Sequence, residues 1–333
     1  MSVDLSTMYC GLKLNSPLSI AACPLTGSVE SLKRLEQVGA SAAVLPSLFE
    51  EQIEHEYNQL QRLHEFQAET TSESLSYFPE IEIRMVSDDY LELIRNAKNS
   101  VSFPIIASLN GATRGGWVRY AKQMEEAGAD AIELNIYYIP TEPSLVADDV
   151  DRQYCDLVEA VSAEVKIPVA VKVGPFFSSL PNLAGRFVKA GAAGIVLFNR
   201  FMSPDIDLDS LAFKASLQLS STEELRLALR WIAILRDQVP VSLAATGGVH
   251  SAMDVVKSLL VGADTTMITS VLLMKGPDFL QQIRAELTHW LLEHEYQSVE
   301  QIKGSMSMNH CANPEGLKRA NYMKALVSYT PNV

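Results

Sequence analysis

One phrase recurs along the chain and limits its fold more than any other feature. It appears as LEQVGASAAVL (35–45), MEEAGADAIEL (124–134), FVKAGAAGIVL (187–197) and SLLVGADTTMI (258–268). Each copy reads as the end of an amphipathic helix, then Gly-Ala, then a short apolar strand. Glycine just past the last helical turn takes the left-handed conformation that closes a helix. The apolar run that follows is short and does not alternate, as expected of a strand buried on both faces. A second phrase alternates with the first: VSFPIIASL (101–109), VKIPVAVKV (165–173) and DQVPVSLAA (237–245), with SPLSIAA (16–22) as a looser copy. Its proline stands just ahead of the strand, where no ladder hydrogen bond is lost.

These phrases predict eight strands, near 18–22, 42–46, 104–109, 131–135, 168–173, 194–198, 241–245 and 265–268. Helical stretches lie between them, among them 28–38, 89–99, 117–127, 151–165, 222–236 and 252–261. Strand and helix alternating throughout imply an α/β fold with a parallel sheet and right-handed crossovers. Eight units favour a closed (β/α)8 TIM barrel over a doubly wound open sheet. The chain has 333 residues, and barrels of about 250 residues run as one unit. The barrel is expected over 1–294. Residues 295–333 form a C-terminal extension, packed on the barrel or at an interface, with a capped helix over 313–326. Three insertions, 50–87, 136–150 and 199–221, follow the second, fourth and sixth strands. That is the face where such barrels place their active sites.

A net charge of −13 disfavours nucleic acid and anionic membranes as partners. It leaves room for a phosphate, which backbone amides can bind locally. The opening MSVDLSTMYCGLKL has neither a basic nor an apolar signal region, so a cytoplasmic location is expected. Cys10, Cys23, Cys155 and Cys311 are scattered and form no CxxC pair. They read as reduced thiols, and with six histidines lacking ligand spacing, no metal is expected.

The predicted strand ends carry many polar groups: Ser47, Ser108, Asn110, Asn135, Lys172, Asn199, Thr246, Thr269 and Ser270. One asparagine at a strand end is usually a turn residue, but several on one rim suit a polar ligand. Lys172 is the sharpest case, because it interrupts the apolar strand AVKVG. A lysine there needs an anionic partner or a shifted pKa. As an ammonium it would stabilise negative charge on a reduced flavin. As a neutral amine it would form a Schiff base, as in an aldolase. The plain alternative is a side chain that snorkels to the rim. The seventh strand ends in Thr246-Gly247-Gly248, ahead of a helix opening at Ser251. Paired glycines let backbone approach a ligand closely, and the loops after strands seven and eight are this fold's usual phosphate cradle. A plain tight turn is the competing reading.

Together these residues resemble the dihydroorotate dehydrogenase family of FMN-dependent barrels, from about residue 14 to about residue 274. SPLSIAACPLTG looks like the family's opening segment, which places Ala21 and Ala22 against the flavin. Ser47 and Ser108 fall on the same cofactor-facing rim. IELN places Asn135 on a flavin- and substrate-binding asparagine, and VAVKV places Lys172 on the lysine beside the flavin ring. VLFNRF places Asn199 on a substrate-binding asparagine. ATGGV and ITS place Gly247, Gly248, Thr269 and Ser270 on the phosphate site. Asn110 and Arg200 are further candidates for holding substrate, the arginine because guanidinium pairs well with carboxylates.

Several segments depart from the family. Its loop after the fourth strand carries a cysteine or serine as catalytic base, whereas this chain reads NIYYIPTEP, with Tyr138 near that position. A free tyrosine, with a pKa of about 10, is a poor base at neutral pH. LPSLFEE lacks the family's lysine after the second strand, and SLSYFPEIEIR (74–84) replaces its substrate-binding segment. The resemblance therefore implies an FMN-dependent oxidoreductase acting on a CH–CH bond of a small molecule. Oxidation of dihydroorotate to orotate in pyrimidine biosynthesis is the first reading. A flavin barrel with another substrate or redox partner protein is the second, and a Schiff-base aldolase using Lys172 is a lesser one. The family's common state implies a homodimer.

Overall fold

The computed structural model describes residues 3–49, 52, 86–110, 117–200, 202–214 and 217–318. Most of the insertion expected over 50–87, including 74–84, and residues 319–326 of the expected C-terminal helix lie outside the described residues.

Two short strands, β1 (Thr7–Tyr9) and β2 (Leu12–Leu14), form an antiparallel hairpin. The barrel follows. Its strands are β3 (Leu18–Ile20), β4 (Ala42–Val44) continued by β5 (Leu48–Phe49), β6 (Ile105–Asn110), β7 (Ala131–Asn135), β8 (Val169–Val173) and β9 (Gly194–Leu197). A second hairpin, β10 (Asp205–Asp207) and β11 (Ala212–Lys214), stands apart before β12 (Ser242–Thr246) and β13 (Thr265–Ile268). Parallel pairing runs from β3 through β4, β6, β7, β8, β9, β12 and β13 and returns to β3, so the sheet closes. Strand position and number match the reading of the sequence to within a few residues.

The repeated glycines do what the repeat predicts. Gly39, Gly128, Gly191 and Gly262 all hold φ between 97° and 113°. The prolines also fit their places. The carbonyls of Pro104, Pro168 and Pro17 accept from Ala43, Ile132 and Thr266 across the ladder, bonds that need no proline N–H. Outside the barrel run α1 (Val29–Gln37), α2 (Val86–Lys98), α3 (Trp117–Glu126), α4 (Ala147–Glu164), α5 (Leu180–Lys189), α6 (Leu225–Leu235), α7 (Ala252–Val261), the short α8 (Ser270–Lys275) and α9 (Phe279–Glu293). Helix α4 starts four residues earlier than expected, with Asp148 and Asp149 in its first turn, where carboxylates favour the helix dipole.

The second strand is broken by one extra residue. Val44 pairs with Ile106 and Leu48 with Leu109, so four steps on one strand face three on the other. Such a bulge bends a strand and re-aims its side chains. Here it turns Pro46 and Ser47 to the mouth of the barrel.

The barrel interior is small and apolar in its middle: Ala42, Val44, Ile106, Ala131, Ala170, Val196, Ala244 and Met267. Tyr9, Cys10 and Leu14 of the first hairpin join the same cluster from below. Gly194 leaves room for them, since a Cβ there would meet the Cys10 sulfur at 2.5 Å. The Cys10 N–H donates to Ser242 Oγ at 2.8 Å, fixing the hairpin to β12.

Residues 295–318 strap across this lower end. Gly304 and Met306 donate backbone bonds to Leu259 and Leu260, and Met308 to Ala233. At residues 314–316 the chain forms a 3-10 turn capped by Asn313, at the start of the capped helix expected over 313–326. Lys303 reaches inward to Asp264 at 3.1 Å and to Glu300, while Arg236 holds the other Asp264 oxygen at 3.1 Å. Lys303→Met is expected to lower unfolding free energy by about 2 kcal/mol, because Asp264 loses one of two cations yet keeps the other. A shift of the urea midpoint at unchanged slope checks this; an unshifted midpoint refutes it.

Candidate active site

A cavity of about 810 Å³ opens at the C-terminal ends of the strands. Volumes of about 300–1,000 Å³ suit small molecules and cofactors. The structure brings Ala21, Ala22, Ser47, Asn135, Lys172, Asn199, Arg200, Thr246, Gly247, Gly248, Thr269 and Ser270 to its wall. Pro24, Phe49, Phe176, Phe198, Leu217, Leu219, Leu227 and Leu273 supply apolar surface between them.

Strand register explains why these side chains meet. Asn135 pairs with Lys172, and paired residues on neighbouring strands face the same way. A polar strip then crosses the barrel mouth. Asn199 Nδ2 donates to Asn135 Oδ1, Asn135 Nδ2 to Ser47 Oγ at 3.4 Å, and Ser47 and Ser108 share a hydrogen bond of 2.8 Å. Ser108 is fully buried behind Ser47 and held by Tyr90, whose hydroxyl accepts from its N–H at 2.8 Å. It supports the wall without forming it. Asn110 ends β6 beside Asn135 in the ladder and is likewise not on the wall.

Lys172 is almost wholly enclosed. Its Nζ lies 3.3 Å from Oε1 of Glu133, which is completely buried. Reading the sequence missed Glu133, although the signal was there: an acid in AIEL breaks a strand that is otherwise apolar. A buried carboxylate requires a cation, and the register offers Lys172.

The paired glycines have different surroundings. A Cβ at Gly247 (φ +81°) would meet nothing within 4 Å, so this residue faces open cavity. A Cβ at Gly248 (φ +76°) would meet the backbone N of Leu225 at 2.6 Å and the carbonyl of Ser221 at 2.7 Å. Gly248 therefore serves packing of 221–225. Its N–H donates to Ser220 Oγ at 3.1 Å, and that hydroxyl donates to Ser270 Oγ at 2.8 Å. Ser220 is a second residue that sequence reading missed. Its signal was the capping pattern Ser221-x-x-Glu224 just after it, which fixes the chain at that point. Thr269 Oγ1 is buried and has no partner, leaving a polar group beside the same loops to be satisfied.

Tyr138 is not on the cavity wall. It packs, half-buried, against the outer core, and its carbonyl accepts from the Tyr154 hydroxyl at 3.4 Å. Cys23 does reach the wall, but burial pushes its thiol above the ordinary range, which disfavours the thiolate a base would need. Arg200 stands 3.9 Å from Glu224 at the half-exposed rim. Tyr138→Phe is expected to leave kcat and kcat/KM within about twofold of the parent in steady-state assays, because loss of this hydroxyl removes nothing from the cavity. A tenfold fall would place Tyr138 in the chemistry.

Among the described residues no group of three or more His, Cys, Asp or Glu is arranged to hold a metal, and no helix is long and apolar enough to cross a membrane.

Comparison with known proteins agrees with this geometry. The family model described as dihydroorotate dehydrogenase matches residues 4–291. The NAD-dependent dihydropyrimidine dehydrogenase subunit PreA of Escherichia coli K12 is 24% identical, over 96% of this chain and 80% of its own. The catalytic subunit of dihydroorotate dehydrogenase B (NAD(+)) from Thermoplasma volcanium is 25% identical, over 90% of this chain and 98% of its own. The corresponding subunit from Shouchella clausii is 29% identical, over 60% of this chain and 67% of its own.

Proposed function

The chain belongs to the dihydroorotate dehydrogenase family, and from that premise we propose that it is an FMN-dependent oxidoreductase acting on a CH–CH bond of a small cyclic substrate. One observation carries the reading: an enclosed lysine, paired with a buried carboxylate, at the wall of a cavity whose far side is glycine backbone and hydroxyls. The residues fit the cofactor. Gly247 offers a backbone face that no side chain covers, and the partnerless Thr269 hydroxyl with Ser270 suits a phosphate. Ala21 and Ala22 leave flat, shallow wall where a ring can lie.

When bound, the flavin supplies the two-electron chemistry. The protein's residues do the rest. Lys172 would present positive charge to a flavin held in the cavity, an electrostatic contribution in a water-poor site. Asn135 and Asn199, already joined to each other, orient amide or carbonyl edges of the substrate. Phe198 and Leu219 exclude water from the reacting face. Arg200 is the candidate for a substrate carboxylate, provided it leaves Glu224.

A second reading has its own support. No cysteine or serine stands in 136–142, and Tyr138 is not on the cavity wall. The base expected for dihydroorotate oxidation is thus missing from its usual loop, which favours another substrate of the same class. An aldolase is disfavoured, because the Lys172 amine that imine formation needs free is already engaged by the Glu133 carboxylate at 3.3 Å. Purified protein should carry, or take up from added FMN, a yellow flavin spectrum. Colourless protein that FMN does not reconstitute defeats the flavin reading. Orotate formation from dihydroorotate at about 1 s⁻¹ or faster would defeat the second.

A further inference from the structure

Glu133 touches nothing in the cavity, yet its place is costly. It is wholly buried on β7, two residues before Asn135, and only Oε1 has a partner. Oε2 is a buried atom without one. Replacing a buried ion pair by apolar residues is often neutral or stabilising, so stability alone gives no reason for this acid.

We propose that Glu133 is a positioning residue acting through Lys172: its carboxylate keeps the lysine charged and aimed at the cavity before any negative charge forms there. The inference rests on the flavin reading above.

The other titratable groups near the pair cannot replace Glu133 as counter-charge. Tyr9 and Cys10 of the first hairpin and Tyr90 of α2 are buried, which pushes each upward, Cys10 to about 12, and the charge of Glu133 adds to the push. They stay neutral at physiological pH. Arg200 and Glu224, on the same cavity wall, face each other.

The consequence is a proton count. Two electrons and one proton convert an oxidised flavin to its reduced anion. With Lys172 already charged, the protein adds no proton of its own. Without Glu133, an enclosed lysine beside a neutral ring sheds its proton. It takes one up again when the ring becomes anionic, so reduction then consumes two electrons and two protons. For a two-electron couple each proton contributes tenfold per pH unit, about 30 mV.

The test is the midpoint potential of the protein-bound flavin, measured against reference dyes from about pH 6 to 8. Wild type and the double variant E133Q/K172M should fall by about 30 mV per pH unit, and E133Q by about 60 mV. An E133Q slope equal to wild type overturns the proposal. Wild-type protein that binds no flavin overturns the reading beneath it instead. Should E133Q fail to fold, K172M reads the same pair from the other side. Its abandoned carboxylate has to hold a proton when folded, so the unfolding free energy of flavin-free K172M should fall as pH rises over that range, relative to wild type. Parallel profiles would count against the proposal just as firmly.

Discussion

Lys172→Met is expected to slow flavin reduction by about 10²- to 10³-fold while the cofactor remains bound. Removing one preorganised electrostatic group from a water-poor site costs about that much. The lysine's charge matters most when the ring carries negative charge, so kcat should fall with kcat/KM and substrate affinity should change little. A second effect accompanies it. Glu133, fully buried, would lose its cation at 3.3 Å, and breaking such a pair from one side costs about 3–5 kcal/mol. Stopped-flow reduction measures the first effect and urea unfolding the second. Near-normal reduction by the variant would remove Lys172 from the chemistry. Normal stability would mean that Glu133 finds another partner.

Gly248→Val is expected to destabilise the protein by about 2–6 kcal/mol. A β-branched residue held at φ +76° is strained by about 1–3 kcal/mol, and forcing new atoms into packed structure adds about 1–3. The obstructing atoms are backbone: the Leu225 nitrogen at 2.6 Å and the Ser221 carbonyl at 2.7 Å. They cannot swing aside as a side chain would. The segment 220–225 would lift, taking Ser220 away from Ser270. Gly247→Ala provides the contrast, because its Cβ enters open cavity. It should cost only about 1 kcal/mol of backbone strain and show its effect in weaker flavin binding. Urea midpoints and FMN titrations of both variants separate the two roles. Equal stability losses would mean that the glycines are not differentiated in this way.

The fold was legible because its signals are local and repeated. A glycine that closes a helix and a proline that opens a strand each follow from the backbone alone. The eight strands could therefore be placed from Gly39, Gly128, Gly191 and Gly262 and from Pro17, Pro104, Pro168 and Pro240. The rim of the site was legible for the same reason, since a residue that ends a parallel strand must lie at the mouth. What reading alone did not reveal depends on contacts between distant segments. Glu133 was visible as an anomaly, but its meaning required knowing that β8 lies beside β7. Ser220 lies in an insertion and reaches Ser270 only through tertiary folding. Tyr138 shows the limit from the other side. Its position in the chain matches a catalytic loop, yet the residue packs half-buried against the outer core and is not on the cavity wall. Position along a loop does not fix the direction of a side chain.

The two chain segments at the foot of the barrel bear on how the molecule exchanges matter with its surroundings. Tyr9, Cys10 and Leu14 occupy the lower bore, and residues 295–318 lie over it. The cavity opens at the other end, with Ser47, Asn199 and Ser220 among the residues on its wall. Whatever enters or leaves by that mouth passes the same polar groups that line the site, while the foot of the barrel is plugged by side chains of its own chain.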